Sequence, residues 1–256
     1  VGEGLGIEAV LIPAPGRFTL CVSSEVGCSF DCKFCFTAKQ KLKRRLTTNE
    51  IIGQYIHALR LLEKDERISN IVFMGMGEPL DNSDAVFKAV DILQSSKGIN
   101  LSQKKITIST SGLVPLIPLV TEAGVRLAVS LNSVDDDIRS KIMPVNKRWP
   151  IAELLEACRI HTEKSNDKVT IEYVLLKGVT DSLDDARKLC HLTKKIPCKI
   201  NIIPFNEHPN VEFSRPSNSD VDSFQREMMR MGVYTLRRKT MGSDIYAACG
   251  QLNSVF

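Results

Sequence analysis

Short apolar or β-branched runs alternate along this chain with stretches whose apolar residues recur at helical spacing. That alternation is the pattern of βα units and a parallel sheet. Residues 7–12 read as a strand ahead of the turn Pro13–Gly16, and residues 18–23 as the first core strand. Thr47-Thr48-Asn49-Glu50 has the form of a capping box, so a helix is predicted from Ile51 to Leu62. Strand 70–74 then leads into Gly75-Met76-Gly77-Glu78-Pro79. Beyond it the pattern predicts helices near 83–95, 114–123, 150–164, 182–194 and 218–231. Strands are predicted at 105–109, 126–131, 169–175, 199–203 and 233–238. About six βα units are too few to close an eightfold barrel. Periodicity alone fits either an open partial barrel or a doubly wound sheet.

Composition changes this picture little. The 256 residues are 43% hydrophobic and 25% charged, ordinary for a globular α/β domain with a substantial core. No run of 18 apolar residues is present, so no membrane-spanning helix is predicted. A net charge of +4 is only mildly suggestive of an anionic partner. The chain begins at Val1 rather than Met, as a fragment of a longer protein would.

Cysteine placement is more informative. Eight are present, and three lie in one short stretch, Cys28-Ser29-Phe30-Asp31-Cys32-Lys33-Phe34-Cys35. Thiolates at spacings of four and three can turn toward one centre, and such a triplet argues for metal in a reducing compartment. A cubane iron–sulfur cluster held by three thiolates keeps one iron open to a ligand. The alternatives are a zinc site lacking its fourth ligand, or three buried structural cysteines. No His lies in the loop or its flanks to complete a zinc site.

This spacing resembles the radical-SAM superfamily. The resemblance implies a [4Fe-4S] cluster whose open iron binds S-adenosyl-L-methionine, cleaved after one-electron reduction to a 5′-deoxyadenosyl radical, and an open partial (β/α)6 barrel. In parallel α/β folds ligands sit at the carboxyl ends of strands, where several candidates fall. Gly77 and Glu78 lie in a stretch that resembles the superfamily's GGEP element, which binds the methionine amino group. Ser109-Thr110-Ser111-Gly112 ends the third strand, Ser130-Leu131-Asn132-Ser133 the fourth, and Asn206 follows the strand near 199–203. Taken singly, such hydroxyls and amides are more often helix caps or turn residues; their placement at one rim is what favours a cofactor role.

The C-terminal stretch Gly242-Ser243-Asp244-Ile245-Tyr246-Ala247-Ala248-Cys249-Gly250-Gln251-Leu252 narrows the family. It resembles the signature of the radical-SAM adenine methyltransferases, the RlmN/Cfr family, as do Cys21–Cys28, Phe73–Pro79, Thr170–Tyr173 and Cys198–Asn201. The resemblance implies that Cys28, Cys32 and Cys35 hold the cluster, and that Gly77, Glu78, Ser109, Ser130, Leu131, Asn132 and Asn206 contact the cofactor. It implies that Cys249 carries a methyl group, that Cys21 resolves the resulting protein–RNA adduct through a disulfide, and that Glu8 or Cys21 accepts the C2 proton. Two cofactor molecules would be used per turnover. An aromatic C2 of adenine is not nucleophilic, which is why a methyl group must first be parked on a cysteine and then activated as a radical.

Residues 1–17 are expected to form a lead-in strand and linker, and residues 18–256 the catalytic domain with its Cys loop. The family's N-terminal RNA-engaging domain is not part of this chain. The implied partners are 23S rRNA, with tRNA as a second substrate, and an electron donor such as flavodoxin or ferredoxin; the protein would be a monomer. The setting would be cytoplasmic in a bacterium and organellar in a eukaryote. Lys39, Lys41, Lys43, Arg44 and Arg45, and Arg237-Arg238-Lys239, are basic runs placed to clamp phosphates, though such runs are more often solvated faces. Cys158, Cys190 and the four His are read as structural, on helices or strands. A C8-adenine methyltransferase of the Cfr type shares the same cysteines; Pro79 and Ser111 look like the C2 branch. A non-enzymatic iron–sulfur RNA-binding module is the other alternative.

Overall fold

The computed structural model describes residues 6–238 and 248–253. Its sheet runs β1 (Val10–Ala14), β2 (Arg17–Cys21), β5 (Ile68–Phe73), β6 (Ile106–Thr110), β7 (Arg126–Ser130), β8 (Val169–Leu175), β9 (Cys198–Pro204) and β10 (Thr235–Arg237), in that spatial order. In this sheet only β1 is antiparallel; the other seven strands pair in parallel, in the order given. Among the described residues β1 and β10 form the two edges, so the barrel is open, as the partial (β/α)6 expectation requires.

Helices α2 (Thr48–Leu59), α3 (Ser83–Gln94), α4 (Ile117–Glu122), α6 (Ile151–Ser165), α7 (Leu183–Thr193) and α8 (Asn218–Arg230) connect successive parallel strands. The predicted capping box is present: Glu50 N–H donates to Thr47 Oγ1, and Thr47 N–H to the Glu50 carboxylate. Strand side chains such as Ile71, Phe73, Ile108, Leu127, Val129, Ile171 and Ile200 are fully buried under these helices. Parallel strands buried on both faces carry near-continuous apolar runs, and these core strands do so.

Four expectations need correction. The first strand occupies Val10–Ala14 rather than 7–12, and its turn falls at Pro15–Gly16, because Val10 registers with Cys21 and Ala14 with Arg17. An extra helix, α5 (Asp136–Ile142), follows β7; Asp135 caps it by accepting from Ile138 N–H at 2.9 Å. A two-residue ladder of β3 (Glu25–Val26) and β4 (Arg44–Arg45) closes off the cysteine loop. His208 lies in a loop, stacked on Phe36 with centroids 3.8 Å apart, rather than on a helix or strand.

Candidate active site

The cysteine loop leaves β2 and is clamped at its base by the β3–β4 ladder. Gly27 (φ +76°) makes the entry turn; a Cβ there would meet the Lys41 carbonyl oxygen at 1.9 Å, so only glycine fits. The loop ends in the short helix α1 (Phe36–Lys39), with Cys35 at its N-cap position. Cys28, Cys32 and Cys35 all line one pocket of about 1100 Å³, counting its open mouth. Burial raises the pKa of all three thiols, and each of Cys28 and Cys32 is raised further by its neighbouring cysteines. Hydrogen bonds from the Phe30 backbone to Cys28, and from Ala38 and Thr37 to Cys35, oppose this.

Three thiols gathered in one pocket, with backbone N–H donors at Cys28 and Cys35 that stabilise the thiolate form, suit an iron–sulfur cluster. Among the described residues no three His, Cys, Asp or Glu side chains converge on a single metal ion. One zinc ion would draw its sulfurs to about 3.8 Å of one another, given Zn–S bonds of about 2.3 Å. A multi-iron cluster holds its thiolates farther apart than that, and three thiolate ligands leave it one open iron.

The rim opposite is formed by strand ends. Glu78, buried, accepts from Ser111 N–H at 2.7 Å, Ser111 Oγ at 2.8 Å and Leu80 N–H at 3.2 Å. Burial raises its pKa, and these hydrogen bonds pull it back. Gly77 (φ +95°) lets the chain pass over Glu25, whose side chain a Cβ would meet at 2.5 Å. Gly77, Ser109, Ser130, Asn132 and Asn206 also line the pocket. The Asn132 amide is spent on the scaffold, accepting from Val174 N–H at 2.9 Å and donating to Met143 Sδ. Leu131 lies apart: its side chain is in the core, and its N–H donates to the Glu172 carbonyl.

Arg139 organises this rim and was not singled out from the sequence. Fully buried, it donates to the carbonyl oxygens of Ser111, Ser130 and Leu131 and to Asn146 Oδ1, all at 2.8–2.9 Å. One guanidinium thus ties together the ends of β6 and β7. Burial lowers its pKa to about 10, so it stays cationic at neutral pH.

Cys249 reaches the pocket on a C-terminal segment seated against α1. Phe36 N–H donates to the Gly250 carbonyl at 2.8 Å, Thr37 Oγ1 and Gln40 Nε2 to that of Leu252 at 2.8 Å, and Asn206 Nδ2 to that of Cys249 at 3.3 Å. Residues 242–247 of the signature lie outside the described residues. Cys21, buried at the end of β2, does not itself line the pocket but lies behind Cys249. Burial and the charge of Cys249 push its thiol up to about 12, opposed by Arg238. All eight cysteines are unpaired. Glu8 is also off the pocket; its carboxylate accepts from Asn253 N–H at 2.6 Å.

The basic runs do not form one face. Arg44 pairs with both oxygens of Glu50, and Arg45 bonds Asp81. Arg237 is tied to Asp222 and Asn218 of α8, whereas Arg238 turns inward to the pocket; Lys239 lies outside the described residues. Glu172, also unassigned from the sequence, lines the same wall. Cys158 and Cys190 are core residues, as expected.

The family profile described as Radical SAM superfamily matches residues 22–190. A "Dual-specificity RNA methyltransferase RlmN" of Geotalea uraniireducens is 47% identical over 253 residues, covering 98% of this chain and 73% of that protein. The chain belongs to the radical SAM superfamily and, within it, to the RlmN family. A relative of the same name from Bdellovibrio bacteriovorus is 58% identical over 99% of this chain, which spans 63% of that relative's length. The fold agrees with the crystal structure of a radical SAM methyltransferase from Sphaerobacter thermophilus, at TM-score 0.93 and 43% identity over 96% of this chain and 73% of the other. Membership implies a [4Fe-4S] cluster and S-adenosylmethionine, and the thiol triplet and polar rim suit both. No helix among the described residues is long and apolar enough to cross a membrane.

Proposed function

We infer that this chain carries the catalytic domain of an RNA methyltransferase that converts adenosine to 2-methyladenosine, with 23S rRNA and tRNA as substrates. The observation that carries the reading is Cys249 standing in the pocket of the cluster loop, with Cys21, from the opposite end of the chain, near enough to feel its charge. A cofactor-cleaving enzyme without sulfur chemistry has no use for two further thiols there, and neither has a passive RNA-binding module. The name shared by the relatives matches the C2 branch and disfavours the C8 alternative.

When bound, the cluster and cofactor supply a methyl group and a hydrogen-abstracting radical; the rest falls to the chain. Cys28, Cys32 and Cys35 would hold the cluster, and the Gly77–Glu78 turn with Ser109, Ser130 and Asn206 would orient the cofactor, Asn132 contributing only to the pocket wall. Cys249 Sγ, as thiolate, takes the methyl group by displacement. Loss of a hydrogen atom leaves a carbon radical on that S-methyl group, which bonds to the target ring carbon. The C2 proton is then lost, with Glu8 and Cys21 the candidate acceptors, and one electron leaves the ring, for which the oxidised cluster held by Cys28, Cys32 and Cys35 would be the acceptor. Cys21 finally attacks Cys249 Sγ: an S–S bond forms, the S–C bond breaks, and the carbon takes up a proton to become the methyl product. The target base must be unstacked to reach a pocket of this depth. A reducing compartment and an external one-electron donor such as flavodoxin or ferredoxin follow from the same chemistry. The test is mass spectrometry of RNA nucleosides after reaction with anaerobically reconstituted protein. 2-Methyladenosine supports the reading; 8-methyladenosine, or no methylated base, sinks it.

A further inference from the structure

Glu172 is 4% exposed, and its Oε2 has no hydrogen-bond partner among the described residues. Leaving a buried carboxylate oxygen unmade is costly and needs a reason. Asn201 Nδ2 donates to Oε1 at 2.9 Å and so fixes the carboxylate on the pocket wall. Arg238 lies beside it, with Nη1 at 3.8 Å from Oε2, an ion-pair distance but too long for a hydrogen bond. Among the described residues the Arg238 guanidinium donates only to Met74 Sδ, at 3.5 Å, although it carries five N–H groups. Its backbone N–H is anchored on the Ile202 carbonyl at 2.9 Å. One acceptor and several donors, all unspent, therefore stand side by side on one wall.

We propose that Glu172 and Arg238 together read the Watson–Crick edge of an adenine ring in the pocket, Glu172 accepting from the 6-amino group and Arg238 donating to N1. Adenine presents a donor next to an acceptor along that edge, the complement of the Glu172–Arg238 pair. Two adenines can enter such a pocket, the target base and that of the cofactor, and the chemistry of recognition is the same for both. The placement of the thiols favours the target. The charges of Cys249, Glu172 and Cys21 all act on Arg238, so the guanidinium is the group shared by the carboxylate and the sulfurs. The 6-amino group, N1 and C2 follow one another around the ring. A base held at its 6-amino group by Glu172 and at N1 by Arg238 turns C2 toward Cys249. This assignment rests on the proposed function, and it supplies that reading with a reason for attack at C2 rather than C8.

The test compares short RNA hairpins carrying adenosine, purine riboside (which lacks the 6-amino group) or 1-deazaadenosine (which lacks N1) at the target position. Their affinities for the reconstituted protein are read by fluorescence anisotropy. Each analogue should bind about tenfold more weakly than adenosine to the unaltered protein, in line with the discrimination that base-edge hydrogen bonds give. Glu172→Ala should erase the first difference and Arg238→Met the second. Cofactor affinity is measured separately by equilibrium dialysis. If it is unchanged in both variants while the analogue differences vanish, the dyad reads the target base. If it falls about tenfold and the RNA differences persist, the dyad reads the cofactor's adenine. The pair is a structural ion pair, and the proposal is overturned, if cofactor affinity is unchanged and the hairpins bind alike or not at all. The analogue comparison uses unaltered protein, so a misfolded variant cannot produce its answer. Nucleoside mass spectrometry separates the two failures: 2-methyladenosine formed without analogue discrimination or any change in cofactor affinity defeats the dyad and leaves the proposed function standing.

Discussion

The backbone N–H of Asn253 donates to the Glu8 carboxylate at 2.6 Å, joining residues 245 apart in the chain. Ser23 Oγ donates to the Glu8 carbonyl at 2.6 Å, and Met76 N–H donates in turn to Ser23 Oγ at 2.8 Å. Glu8 thus ties the segment that carries Cys249 to the strand end that carries Cys21. A residue proposed as a proton acceptor is also a clasp.

The two roles separate by substitution. Glu8→Ala removes the acceptor and should destabilise the domain by about 1–2 kcal/mol, whereas Glu8→Gln keeps an oxygen for Asn253 and should cost less than about 1 kcal/mol. Burial raises the pKa of Glu8 above its ordinary 4.5. The folded state therefore binds this proton more tightly than the unfolded chain. Its contribution to stability is greatest at low pH and is lost as pH rises above 4.5 through the folded value. Glu8→Gln should flatten that part of the profile in urea melts taken across the range. Parallel profiles for the two proteins would rule the assignment out.

Arg139 makes a sharper stability prediction. Its four acceptors include three backbone carbonyls that have no other side-chain donor in the described rim. Arg139→Met should cost about 3–5 kcal/mol, the range for removing one partner of a buried charged network. Arg139→Lys should restore little, because an ammonium has three donors and no planar fork. Urea denaturation measures both, and a loss below about 1 kcal/mol for Arg139→Met would mean that the rim holds without it.

The cluster assignment is tested by metal content. Cys28→Ala, Cys32→Ala or Cys35→Ala should each abolish the iron–sulfur absorbance of anaerobically reconstituted protein, since two thiolates hold a cubane poorly. Cys249→Ala, although it changes the same pocket, should keep the band. Stoichiometric zinc without iron in the unaltered protein would overturn the assignment.

How much of this was legible beforehand depended on sequence distance. The cluster ligands sit within eight residues, so their spacing alone declares a shared centre. The sheet was legible because each strand is buried on both faces and set off by a helix. α5 escaped, since Ser133-Val134-Asp135-Asp136-Asp137 reads as a polar turn. Its signal was present in the Asp135 cap, the acidic first turn and Arg139 and Lys141 in the last. The β3–β4 ladder is too short for any period to show. Arg139, Glu172 and Arg238 were illegible for a different reason. What sets each apart is burial beside partners up to 164 residues away, which no local pattern encodes. Arg238 was grouped with Arg237 by adjacency, but successive residues of extended chain face opposite ways: Arg237, the last residue of β10, turns to α8, and Arg238, just past it, turns inward.

The two sulfurs outside the cluster give the most discriminating experiment. Cys249→Ala has nothing to methylate, so neither methyl label nor RNA should become attached to the protein. Cys21→Ala can still be methylated and can still add to the base, but a thioether does not break unaided at neutral pH. It should therefore accumulate RNA joined to Cys249 through a methylene, visible on a denaturing gel after nuclease treatment and in the mass of the Cys249 peptide. The acidity of Cys21 adds a rate prediction. Its thiol is held up at about 12 by burial and by the charge of Cys249, with Arg238 pulling the other way. Methylation of Cys249 removes that charge and leaves the guanidinium acting on Cys21, so the resolving thiolate becomes accessible only after the adduct is possible. While pH stays below the thiol pKa, the thiolate fraction grows about tenfold per pH unit, and decay of the adduct in the unaltered protein should steepen accordingly between about pH 7 and 9. A decay rate that ignores pH, or a Cys21→Ala protein that turns over without trapped RNA, would leave Cys21 as no more than the last residue of its strand.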